Sequence, residues 1–184
     1  MSLKEQIEKY IPYDEQEERD KEQMLKFIND YDDVLTRNNI FGHFSASAFV
    51  VNKERTKMVV VYHIINDGWI YPGGHADGEE DLLSVAVREV EEETGLKVKV
   101  LDNNMFSIQS LPVTGHIKRG KYVSAHTHFD VVYLLEADDT LPLVYREDES
   151  KGVKWINFEE ADNETMCYFI RPIHKKLIRK LKNK

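Results

Sequence analysis

A single cysteine, Cys167, leaves this chain unable to form an intramolecular disulfide or a cysteine-based zinc site, either of which needs a second thiol. Apolar residues nowhere run for anything near 18 positions, and none of the apolar stretches follows the opening Met-Ser-Leu-Lys-Glu-Gln. Neither a membrane span nor a secretory leader is therefore expected. Positive charge is short as well: 25 basic against 33 acidic side chains give a net charge of −8, which repels a nucleic-acid backbone. Internal repeats and low-complexity tracts are absent. These gaps point to a cytoplasmic protein that acts on a small molecule, without a nucleic-acid or membrane partner. A homodimer is left open.

What the sequence does have is enough for one ordinary core, with 41% apolar and 10% aromatic residues in 184. Residues 14–36 are charge-rich, and Met24, Leu25, Ile28 and Tyr31 recur at helical spacing, so residues 1–40 read as an N-terminal helical extension. From residue 41 to 184 a second unit follows. It opens with a hairpin, residues 45–51 and 58–65, then a short strand at Trp69-Ile70-Tyr71 that runs into a loop at Pro72-Gly73-Gly74. A helix is predicted over residues 81–94, with Leu82, Ala86 and Val90 on one face and Gly95 as its stop. Strands are expected near residues 97–100, 106–111, 124–135 and 153–158. The chain ends in a basic amphipathic helix whose apolar side carries Ile170, Ile173, Leu177 and Leu181. Mixed strands with few helices give an α+β class, a sheet packed between helices.

The helix over residues 81–94 is too acidic for a helix that only packs. Glu89, Glu91, Glu92 and Glu93 crowd its last turns, where like charges at three- and four-residue spacing cost roughly 0.2–0.5 kcal/mol per pair and oppose the helix dipole. At about 100° per residue, Glu89, Glu92 and Glu93 fall in one arc beside the apolar stripe, while Glu91 points away. Three converging carboxylates suit a hard divalent cation, magnesium or manganese, which takes oxygen ligands and shares its remaining positions with phosphates. The preceding glycines can bring backbone groups to the same ion, and Arg88 adds a fixed cation to what reads as a phosphate site.

The segment GHADGEEDLLSVAVREVEEETGL, Gly74 to Leu96, resembles the signature box of Nudix hydrolases at every fixed position: Gly74, Glu80, Arg88, Glu89, Val90, Glu92, Glu93, Gly95 and Leu96. The resemblance covers approximately residues 42–161. It implies an α/β/α sandwich around a mixed sheet, and metal-dependent cleavage of a phosphoanhydride in a nucleotide substrate. It also implies Glu89 and Glu93 as metal ligands, Glu92 as a further ligand able to serve a second ion, and the Gly73 carbonyl as another. Either Glu92 or Glu89 would take the proton from the attacking water, and Glu80 with Arg88 would brace the box. Many relatives add an acid from a late loop, a place that Glu149 fits here, with Asp148 as its substitute.

Outside the box, His126, His128 and Asp130 alternate along one strand and so share a face, either a substrate or metal contact or a plain polar surface. His75 follows the paired glycines as a phosphate neighbour, and Trp69 is placed to stack on a base or to pack in the core. The basic segment His116 to Lys121 reads as a solvated hairpin tip or as a loop over an anionic substrate. Pro112 stands where ADP-ribose hydrolases of the family carry proline, so ADP-ribose or a nucleotide sugar is the favoured substrate. A house-cleaning nucleoside triphosphate pyrophosphatase and a non-catalytic nucleotide sensor are the alternatives.

Overall fold

A computed structural model describes residues 1–65, 67–118, 120–145 and 150–184. The N-terminal segment forms two helices rather than one, α1 (Leu3–Lys9) and α2 (Glu15–Asp30), because each has its own cap: Ser2 closes a capping box with Glu5, and Asp14 accepts from the Glu17 amide. Strands β1 (Gly42–Val51), β2 (Lys57–His63), β3 (Gly68–Ile70) and β4 (Gly73–His75) lead to helix α3 (Leu82–Thr94). Then come β5 (Lys99–Val100), β6 (Ser107–Val113), the small hairpin β7 (His116–Lys118) and β8 (Lys121–Val123), β9 (His126–Glu136) and β10 (Ser150–Asn157). A 3-10 turn (Phe158–Asp162) precedes α4 (Arg171–Lys182). Among the described residues no helix is long and apolar enough to cross a membrane.

The main sheet runs β10-β2-β1-β9-β5, with β3 on β2, β4 on β1 and β6 on β9. Its central pair, β1 and β9, is parallel from Gly42↔Thr127 to Val51↔Glu136, while the other pairings are antiparallel. The expected mixed sheet between helices is therefore present. Side chains alternate along each strand, so the two central strands feed two cores. Phe44, Ala46, Ala48, Val50, Val131, Tyr133 and Leu135 pack with Leu82, Val85, Ala86 and Val90 of α3, together with Met24 and Phe27 of α2. On the other face Phe49, Val51, Val132 and Leu134 pack with Ile170, the N-cap of α4, and with Ile173, Leu177 and Leu181 of the helix.

That second face is apolar only along part of its length. Towards the N-terminal ends of β1 and β9 the same alternation presents His43, Ser45 and Ser47 beside His128 and Asp130, opposite each other in register at His43↔His128 and Ser45↔Asp130. A polar hollow thus opens where the α4 core stops.

The terminal helices are tied to the body by a buried ion network. Glu17 of α2 is fully buried and meets Lys176 and Lys180 of α4, each at 3.0 Å. It also accepts from Tyr10 Oη at 2.6 Å, Ser107 Oγ at 2.7 Å and the Tyr13 amide at 2.8 Å. Burial alone would push the Glu17 carboxyl up; the Lys176 charge, the Tyr10 and Ser107 hydroxyls and Lys180 overcome this and hold it down at about 2. Burial lowers the Lys176 ammonium, and Glu17 partly offsets it.

Candidate active site

Helix α3 forms as its sequence dictates. The Asp81 side chain caps the Ser84 amide at 3.2 Å, and Gly95 ends the helix with φ at 72°, a left-handed turn that glycine takes without strain. The glycines before it do not form an open loop. Gly73, Gly74 and His75 make strand β4, paired with β1 at Ser47↔Gly73, Ala46↔Gly74 and Ser45↔His75. A Cβ on Gly73 would run into Ser47 and oppose this pairing, whereas one on Gly74 would push aside the Glu89 carboxylate, its oxygens 2.5 and 2.7 Å away. The missing side chains let the strand lie directly against the acids of α3.

The contact between β4 and α3 is specific. The Gly73 amide donates to Glu93 Oε2 at 3.0 Å. Ala48 donates to the Pro72 carbonyl and Ala76 to the Phe44 carbonyl, so the β1–β4 ladder bonds fall on alternate residues and skip Gly73. An extended residue points its N–H and C=O to the same side, which turns the Gly73 carbonyl to the side of Glu93. Glu89 and Glu93, four residues apart on α3, thus both border β4, and Glu92 lies in the same arc. The donor set, carboxylates with a free-facing carbonyl, is the all-oxygen kind that magnesium or manganese takes.

Arg88 lies at the edge of this site. It pairs with Glu79 at 2.8 Å and approaches Glu89 at 3.8 Å on the half-exposed side of α3, so it braces the turn before the helix through Glu79 rather than Glu80. Trp69 takes the core-packing alternative, set against the α4-side core. It packs edge-on to Tyr62 under the Lys154 ammonium, 4.3 Å from its ring, whereas its neighbours Ile70 and Tyr71 line the cavity. The late-loop acids Glu149 and Asp148, and Arg119 of the basic hairpin, lie outside the described residues.

Beside Gly73 and Gly74 opens a cavity of about 680 Å³. One wall is Leu111, Pro112 and Val113 of β6; another is the β7–β8 hairpin, which turns His116, Lys118, Lys121 and Tyr122 towards it. Lys118, Lys121 and Tyr122 remain exposed to solvent there. At the cavity floor Asp130 is fully buried and accepts from Ser47 at 2.7 Å, Ser45 at 3.0 Å, Tyr71 at 2.8 Å and Gln109 at 2.7 Å. Burial raises its carboxyl, and the four donors counter the rise. Gln109 passes the network on, since its Oε1 accepts from Lys176 at 3.2 Å.

The plain-surface reading of His126 and His128 fails, because both face the cavity. They join His43 and His75 in a cluster with ring centroids 4.8–5.1 Å apart. Burial, and then the neighbouring imidazoles, lower His128 to about 2, His75 to about 3 and His43 to about 4. Burial thus favours the uncharged form of these three rings. His43 went unnoticed in the sequence, although it shares the period-two face of Ser45 and Ser47; only the parallel pairing with β9 brings it to His128.

Comparison with known proteins bears on the family and the fold. Residues 42–181 match the family model described as the NUDIX domain. Nudix hydrolase 6 of Arabidopsis thaliana is 28% identical over 155 residues, covering 80% of this chain and 50% of that protein, so the chain spans half its relative's length. An RNA pyrophosphohydrolase of Pelagibacter ubique is 31% identical over 116 residues, covering 60% of this chain and 73% of that one. Among solved structures, a MutT protein from Methanosarcina mazei superposes with a TM-score of 0.61 at 19% identity, covering 77% of this chain and 96% of the other, a likeness of fold alone.

Proposed function

This chain belongs to the Nudix family, and from that premise we propose that it hydrolyses a phosphoanhydride in a nucleoside-diphosphate-linked substrate, ADP-ribose or a nucleotide sugar, with magnesium or manganese. The observation that carries the proposal is the seating of β4 on α3, with the Gly73 amide 3.0 Å from Glu93 and the bare Gly74 against Glu89. In this reading Glu89, Glu92, Glu93 and the Gly73 carbonyl hold the cation. A divalent ion bound there supplies charge neutralisation on phosphate oxygens and lowers the pKa of water.

The chain's own groups do the rest. Glu92 or Glu89 accepts the proton of the attacking water, a role that needs a carboxylate within hydrogen-bond reach of it. Lys118 and Lys121 line the cavity beside Gly73 and Gly74 and bind the diphosphate or distal ribose phosphate by charge-assisted bonds. Leu111, Pro112 and Val113 give an apolar wall for the base, and the cavity is of ordinary small-ligand size. Glu149 remains a candidate further acid from the sequence pattern. The domain division belongs to the same reading: residues 41–184 carry the chemistry, and residues 1–40 are an extension whose helices brace the cavity floor through Glu17, Lys176 and Gln109.

A substrate panel tests this. Purified protein with Mg²⁺ is expected to release a nucleoside monophosphate from ADP-ribose or a nucleotide sugar at a higher kcat/KM than from nucleoside triphosphates. Preference for triphosphates, with pyrophosphate released, would replace the ADP-ribose assignment by the pyrophosphatase one. No turnover of either class with any divalent ion would leave a nucleotide-binding sensor as the better account.

A further inference from the structure

The acids of α3 do not explain the four histidines. We propose that His43, His75 and His128 form a zinc site, separate from the glutamate cluster, with its open coordination position facing the cavity. One ring nitrogen from each of the three lies within 4.8 Å of the others. Zinc–nitrogen bonds of roughly 2.0–2.1 Å set tetrahedral donors about 3.3 Å apart, so ring rotations that bring a pair of donors up to about 1.5 Å closer, shared between the two rings, close the site.

The donors are of the right chemistry. Neutral imidazole suits zinc, whereas magnesium takes oxygen, so the two clusters call for different ions. His43 is only 3% exposed, and beyond a weak contact with the Asn39 backbone its ring nitrogens make no hydrogen bond among the described residues. A buried ring nitrogen without a partner is costly, and a metal ion would satisfy one of the two. The frame is also rigid: the rings come from three strands of one sheet, fixed by the pairings His43↔His128 and Ser45↔His75.

An outer partner is in place as well. The Ser124 carbonyl can only accept, so Nδ1 of His126, 2.8 Å away, carries that ring's proton. In the neutral ring this leaves Nε2 of His126 as an acceptor, 3.1 Å from Nε2 of His128, a contact that fixes the orientation and tautomer of His128. A wall built merely to hydrogen-bond substrate would leave ring nitrogens open to the cavity instead of burying both of those on His43. With three protein ligands, the fourth position takes a water or an anionic oxygen.

The test uses chelator-stripped full-length protein, with excess Mg²⁺ to saturate the carboxylates, titrated with Co²⁺ and then Zn²⁺. One Co²⁺ per chain is expected, with the intense visible absorption of tetrahedral coordination, displaced by one Zn²⁺. His43→Ala and His128→Ala should weaken Zn²⁺ binding by more than about 100-fold, and His126→Ala by about 10–100-fold. A Glu89→Gln/Glu92→Gln/Glu93→Gln variant should keep it. Thermal melts of each variant show which are folded, and His75→Asn, nearer in size, serves if an alanine variant is not. Absence of Co²⁺ or Zn²⁺ binding by the parent overturns the proposal. So does binding that is lost with the glutamates or survives in a folded His75→Asn/His128→Asn double variant.

Discussion

Replacing Glu17 with glutamine should destabilise the protein far more than an ordinary helix substitution, and the size of the effect follows from its surroundings. The carboxylate is fully buried between Lys176 and Lys180, each at 3.0 Å. Its ionisation falls from the usual 4.5 to about 2, and at 1.36 kcal/mol per pKa unit this difference amounts to about 3 kcal/mol. Removing one partner of a buried pair typically costs about 3–5 kcal/mol, because the other charge is left uncompensated. For a chain of this length each kcal/mol moves the melting temperature by roughly 2–4 °C, so a fall of about 10 °C at pH 7 is expected. The acid limb gives a second check. A carboxyl whose folded pKa is depressed contributes stability that is complete above its unfolded value, near 4.5, and is lost as pH falls towards about 2. Urea unfolding of the parent between pH 5 and pH 2 should therefore lose more stability than Glu17→Gln does. Adding Lys176→Met to Glu17→Gln should restore part of the loss at pH 7. A variant that melts within about 2 °C of the parent, with the same acid slope, would refute the view that this network fastens the terminal helices.

Two further substitutions probe the site itself. Gly74→Ala places a methyl 2.5–2.7 Å from the Glu89 oxygens, and displacing such a group by about 1 Å costs about 100-fold in turnover, so kcat should fall by that order. The melting temperature should barely move, because Gly74 is not among the positive-φ residues; unchanged Mg²⁺-dependent turnover would contradict the seating described for β4. Lys118→Ala with Lys121→Ala should raise KM for ADP-ribose more than it lowers kcat, since these contacts are made alike in ground and transition states; a pure kcat effect would move them into the chemistry.

Much of this was legible in the sequence because it follows from local periodicity. The acid-bearing helix, its Gly95 stop and the alternation that puts His126, His128 and Asp130 on one face need no tertiary knowledge. The second core likewise follows from Ile170, Ile173, Leu177 and Leu181, all buried on α4 and its N-cap. What the sequence could not show depends on pairing across the sheet. Pro72-Gly73-Gly74 reads as a loop by composition, yet β1 recruits Gly73 and Gly74 as a strand because nothing projects from them to prevent it. His43 joins its fellow histidines only through the parallel β1–β9 ladder, 85 residues apart in register. Arg88 meets Glu79 and not Glu80, a matter of how one turn is shaped. Glu17 looks like one acid among many in a charged helix, and only α4, at the far end of the chain, makes it a buried partner.

The central claim is that the carboxylates of α3, loaded with a divalent cation, cleave a phosphoanhydride. Single-turnover hydrolysis of ADP-ribose, followed by AMP release with Mg²⁺ and with excess chelator, measures it for the parent and for Glu89→Gln, Glu92→Gln and Glu93→Gln. Release in the parent should require Mg²⁺. Each variant should be slower by about 100-fold or more while melting no lower than the parent, since charge repulsion along α3 is relieved. AMP release by the parent in excess chelator, or release by all three variants at the parental rate, would contradict the claim.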